Sequence, residues 1–126
     1  MSGNETILVV EDEETVRNVT SRLLHSLGYT VLTAENSHEA INLFETQGER
    51  IDLVIMDIIL PELSGPKVYE RMRAIRPNLS ILFVSGYDLH TGFKQLAHLG
   101  QKHVRMLQKP FTKESLAKTV RKLLDQ

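Results

Sequence analysis

Residues Ile51 to Gly65 read IDLVIMDIILPELSG. From Leu53 to Leu60 every residue is apolar except Asp57. An apolar run this short, bounded by Pro61 and Gly65, predicts a strand over Ile51 to Met56 that is buried on both faces, as strands of a parallel sheet are. Parallel strands need long crossovers, usually helical, so the flanking sequence should alternate helices with further strands. The run also poses a chemical question. A carboxylate in a buried strand is costly unless something compensates it, and Asp57 sits where that cost is highest.

Working outward, the alternation is present on both sides. Upstream, Ile7 to Val10 (ILVV) predicts a first strand, and the acidic run Glu11 to Glu14 (EDEE) follows at once. Val16, Val19, Leu23, Leu24 and Leu27 recur at helical spacing and are expected to face inward, with Gly28 as the stop. Tyr29 to Thr33 predicts a second strand. Ser37 is placed to cap a helix with the apolar face Ala40, Ile41, Leu43 and Phe44, and Gly48 lies past its end. Downstream, Pro66 suits a first helical position, Val68, Met72 and Ile75 share a face, and Pro77 ends the helix. Ser80 to Val84 predicts a fourth strand, Thr91 to Leu99 a weaker helix, and Val104 to Leu107 a fifth strand. Thr112 then caps a helix with Leu116, Val120, Leu123 and Leu124 inward. Five strand–helix units predict an α/β domain with a parallel sheet between two helical layers. This pattern uses residues 1–126 as a single domain, with its core at about 6–124.

Composition narrows the function classes. Lys plus Arg number 15 and Asp plus Glu 16, for a formal charge of −1. That balance lacks the basic excess of a nucleic-acid-binding module and does not favour an anionic membrane surface. The absence of cysteine excludes disulfide and thiolate chemistry. The apolar runs fall well short of the roughly 18 residues of a membrane helix, and MSGNETILVV lacks the pattern of a signal peptide. A soluble, cytoplasmic domain is expected.

In a sheet of this type, ligands bind outside the carboxyl ends of the strands. The first strand delivers Glu11 and Asp12 there, the third Asp57, the fourth Ser85 and Gly86, and the fifth Lys109 and Pro110. Crowded carboxylates repel one another unless a cation intervenes. A hard ion such as Mg²⁺ takes oxygen ligands, including one or two carboxylates, and keeps several waters. Glu11, Asp12 and Asp57 offer such ligands. A lysine can pair with one carboxylate or hold a phosphoryl oxygen, and Ser85 offers a hydroxyl. The histidines His25, His38, His90, His98 and His103 show no ligand spacing.

Four motifs in order, ILVVEDEE, DLVIMDIILPELSG, ILFVSGY and LQKPF, resemble those of the receiver domains of two-component response regulators. The resemblance spans about Thr6 to Leu124. It implies a flavodoxin-like (βα)5 three-layer sandwich with strand order 2-1-3-4-5. It implies that Asp57 is a phosphoacceptor taking its phosphoryl group from a phosphohistidine of a sensor histidine kinase or histidine phosphotransfer domain. It implies Mg²⁺ held by Glu11, Asp12, Asp57 and the backbone carbonyl of Ile59, with Ser85 and Lys109 contacting the phosphoryl group. Such a module is mainly a signalling switch whose own chemistry is phosphotransfer and autodephosphorylation. The SGY and QKPF stretches are similar to receivers attached to hybrid histidine kinases, so both a stand-alone protein and a piece of a hybrid kinase stay open. Two positions depart from the family pattern. Met106 stands where an aromatic switch residue is usual, and Glu11 where aspartate is commoner. Two alternatives follow from the same residues: a degenerate receiver that only binds protein partners, and an aspartyl-nucleophile phosphohydrolase. The second would place an aspartate two residues after Asp57, where this chain has Ile59.

Overall fold

The structure, a computed structural model, describes residues 3–86 and 103–126. In chain order the elements are β1 (Thr6–Val10), α1 (Glu14–Ser26), β2 (Thr30–Ala34), α2 (Ser37–Gln47), a 3₁₀ turn (Gly48–Arg50), β3 (Leu53–Asp57), α3 (Gly65–Ile75), β4 (Ser80–Ser85), β5 (Val104–Gln108) and α4 (Lys113–Leu124). The helix expected around Thr91 to Leu99 lies outside the described residues, as do Tyr87, His90 and His98.

All strand pairs are parallel and the order is β2-β1-β3-β4-β5, the order expected. The side-chain period of two divides each apolar strand between two cores. Leu8, Val10, Val54, Met56, Ile81 and Phe83 pack with Phe44 of α2 and Val68, Tyr69 and Met72 of α3. Ile7, Val9, Leu53, Ile55, Leu82 and Val84 pack with Leu24 of α1 and Leu116, Val120 and Leu123 of α4. Unbroken apolar strands thus follow from helices on both faces.

Local chemistry sets the boundaries. Gly28, at φ 96°, donates to the His25 carbonyl and turns the chain out of α1. Thr112 and Ser115 form a reciprocal capping box on α4. The strand β3 starts at Leu53 rather than Ile51, because the 3₁₀ turn uses Gly48–Arg50 and the Asp52 side chain accepts from the Thr6 amide at 2.8 Å. Two expectations need correction. The cap of α2 is Asn36, which accepts from the Glu39 amide, while Ser37 is buried and turned to another task. Val19 is 51% exposed rather than inward. It lines, with Val16, Pro110 and Phe111, an open groove between α1 and the segment after β5. Among the described residues, no helix is long and apolar enough to cross a membrane.

Candidate functional site

The three side chains that converge at the carboxyl edge share a strand parity. Ile7, Val9 and Glu11 alternate along one face, as do Leu53, Ile55 and Asp57, and Leu107 and Lys109. The adjacent strands β1 and β3 carry the two carboxylates to one point, and Lys109 reaches it from the end of β5, across β4. Lys109 Nζ donates to Glu11 Oε1 at 2.6 Å and to Asp57 Oδ2 at 2.7 Å. Glu11 is 2% exposed and Asp57 9%. The ammonium is therefore the compensation that the buried carboxylates require, and 98 residues separate it from Glu11 in sequence.

The remaining carboxylate oxygens are also engaged. Glu11 Oε2 accepts from the Glu13 amide at 3.1 Å, and Asp57 Oδ1 accepts from the Ile59 amide at 3.0 Å. Burial pushes the Glu11 carboxyl above the usual glutamate range, against the lowering pull of Lys109 and the Glu13 amide. Burial also opposes the charge on Lys109, but its bonds to Asp57 and Glu11 outweigh that and hold it above the ordinary lysine value. The lysine is a fixed cation.

Asp12 is exposed at the mouth of the site. Its carboxylate, with those of Glu11 and Asp57, offers oxygens that all lie within 4.8 Å of one another. Three hard oxygen donors at that spacing, one facing solvent, suit a small divalent cation that retains water. Ser85 ends β4, 2% exposed, one step beyond Val84, the register partner of Asp57. Its carbonyl accepts from the Lys109 amide at 2.8 Å, which ties the lysine's segment to β4. The edge thus gathers Glu11, Asp57 and Lys109 in direct contact, with Asp12 beside them and Ser85 on the next strand. Ile59 touches Asp57 through its amide, and its side chain is 51% exposed. Met106 is partly buried against the α2–α3 core.

Three supporting roles escaped the sequence reading. Ser37 Oγ lies 2.8 Å from the Pro61 carbonyl and 2.6 Å from that of Leu63, anchoring the loop after Asp57 to the start of α2. Gly65 lets that loop close, since a Cβ there would stand 2.4 Å from the Asp57 carbonyl oxygen. Arg17 Nη1 donates to the Glu11 carbonyl at 2.9 Å. The signal for Arg17 was a cation one turn beyond four consecutive acids; the signal for Gly65 was a glycine closing the loop.

The sequence profile of the response regulator receiver domain matches residues 7–121. The chain belongs to the response regulator receiver family. This receiver is 36% identical over all 126 residues to the sensor kinase CckA of Brucella abortus, of which it spans 13%. It is 34% identical, over 94% of its length, to the response regulator MprA of Mycolicibacterium vanbaalenii, and spans 49% of that protein. Among solved structures, the receiver domain of the hybrid histidine kinase CckA superposes with a TM-score of 0.79 at 35% identity, over 94% of this chain and 98% of that one. A receiver domain from Clostridium thermocellum superposes at 0.88 with 28% identity, over 96% and 94%.

Proposed function

We propose that the chain is a phosphoacceptor of a two-component phosphorelay, with Asp57 as the residue modified and Mg²⁺ as the cation. The observation that supports it most is the buried Asp57 carboxylate held between a lysine and two further carboxylates at a strand end. The donor is a phosphohistidine on a histidine kinase or a histidine phosphotransfer domain. The similarity to CckA favours a place in a relay that includes a hybrid kinase.

In the transfer an Asp57 carboxylate oxygen attacks phosphorus. A P–O bond forms, the P–N bond breaks, and its electron pair stays on the imidazole. The product is an acyl phosphate. A cation held by Asp12, Asp57, the Ile59 carbonyl and Glu11 would supply positive charge against the phosphoryl oxygens. The chain's own residues do the rest. The Ile59 amide and Lys109 fix the Asp57 carboxylate before reaction, which lowers the cost of orientation. Lys109, freed from one partner, can hold a phosphoryl oxygen as a point charge. Ser85, at the end of the neighbouring strand, would offer a hydroxyl donor to the phosphoryl group.

The test is intact-mass spectrometry after incubation with acetyl phosphate and Mg²⁺. One added phosphoryl group is expected, absent in Asp57→Asn and absent after EDTA. Undiminished labelling of Asp57→Asn would overturn the assignment.

A further inference from the structure

We propose that Arg17 is a positioning residue that holds the acidic loop after β1 in its cation-binding shape. The inference deepens the reading of the site given above and rests on it. The loop has an unusual problem. Glu11 to Glu14 are four consecutive acids, and the α1 cap, Glu13, makes no side-chain capping bond. Mutual repulsion pushes such a segment open. Arg17 sits one turn into α1, its side chain only 15% exposed. Its guanidinium spans two groups: Nη1 donates to the Glu11 carbonyl at 2.9 Å, and Nη2 lies 3.9 Å from Glu35 Oε2, just past β2.

The Glu11 carbonyl belongs to the peptide that joins Glu11 to Asp12. The Glu11 amide is already fixed by the Ala34 carbonyl at 3.0 Å. With Arg17 on the carbonyl, both sides of Glu11 are pinned and the next peptide plane cannot turn. Asp12 is exposed, so its carboxylate takes its place from that backbone. Arg17 thereby acts on the cation without touching it, as outer-shell partners of metal ligands do.

Two physical effects of Arg17 oppose each other, and this makes the inference decidable by sign. As a bare charge it repels a divalent cation, so its removal should tighten Mg²⁺ binding. As a brace it presets Asp12, so its removal should weaken binding. Loss of outer-shell support typically costs 10- to 100-fold in metal affinity, which outweighs a partly screened repulsion.

Isothermal titration of Mg²⁺ into the full chain, with thermal melting followed alongside, tests the point. Arg17→Met, which keeps the aliphatic stem, is expected to bind Mg²⁺ about tenfold more weakly than the unsubstituted chain. Arg17→Lys keeps the charge, but one ammonium cannot span the two acceptors as the planar guanidinium does. It is expected to bind more weakly than the unsubstituted chain and more tightly than Arg17→Met. Equal or tighter binding by Arg17→Met overturns the inference. Should Arg17→Met melt below the titration temperature, Arg17→Lys decides, and unaltered affinity there overturns it. If the unsubstituted chain itself takes up no Mg²⁺, the metal reading of the site falls and this inference falls with it.

Discussion

Lys109 is the residue on which the electrostatics of the site turn. It is an ammonium held between two buried carboxylates, and removing one partner of a buried ionic set leaves the other charge uncompensated. Lys109→Met, which retains the apolar stem, is expected to lose about 3 kcal/mol of stability to urea in EDTA. Mg²⁺ should then stabilise the variant more than the parent, because the site offers the cation more uncompensated charge. Equal stabilisation of both by Mg²⁺ would count against this role. Ile59 sets a different quantity. Half exposed and apolar, it stands two residues after Asp57 and carries no group that could orient a water. Ile59→Asn is expected to shorten the lifetime of phosphorylated Asp57, read as loss of the phosphoryl mass with time at saturating Mg²⁺. Tyr87→Ala is expected to speed the same decay, at a residue outside the described ones. Asp57 was legible in the sequence because a charge at the end of an apolar strand contradicts its surroundings, whereas Lys109, which follows Gln108 and a strand that carries Arg105, was legible only through the LQKPF motif. Arg17 was not, because an arginine among acids on a helix reads as ordinary solvated surface, and only the fold shows that its guanidinium turns back to a carbonyl six residues earlier.

At the level of elements, strand interiors were easier to place than ends. The apolar runs define β1, β3 and β4 within a residue or two, since burial on both faces leaves no other use for them. Caps depend on a choice between adjacent polar residues, and Asn36 and Ser37 illustrate it. Both can cap α2, but Ser37 is needed against the Pro61 and Leu63 carbonyls, a partner 24 to 26 residues away that no local pattern reveals. The terminal elements are joined by charge. Arg121 of α4 donates to Glu5 Oε2 at 2.6 Å, bonds Asp125, and reaches the Tyr29 hydroxyl at 3.3 Å. The hydrogen bond from Arg121 holds Glu5 below its ordinary carboxyl value of 4.5. A carboxyl depressed on folding contributes stability that is complete above its unfolded pKa and is lost as pH falls through the folded one. Arg121→Met is therefore expected to cost about 1 kcal/mol near neutral pH, with both ends partly exposed. Below about pH 4 the gap between variant and parent should narrow as Glu5 takes up its proton in both. Urea melts at the two pH values measure it, and a gap that widens in acid would refute the pairing.

Across the whole molecule, one sheet separates two cores and one of its edges carries the chemistry. The chain spans 13% of the kinase that it matches over all 126 residues. The parity described for β1 and β3 has a consequence for how the chain can vary in length. Glu11 and Asp57 meet because each lies an even number of residues from strand positions that face α1 and α4. Adding one residue within Val54–Met56 would exchange the two cores and carry the carboxylate to the α2–α3 side, abolishing both packing and acceptor function. Adding two would restore the alternation, at the cost of an overlong strand. The loop at Pro61–Leu63 has no such constraint from alternation, but its carbonyls are held by Ser37, so it too should resist change in length. Deletion and insertion scanning is expected to find tolerance instead at the opposite end of the sheet, at the exposed Pro77–Asn78 turn. The molecule's freedom to lengthen therefore lies at the pole away from its chemistry.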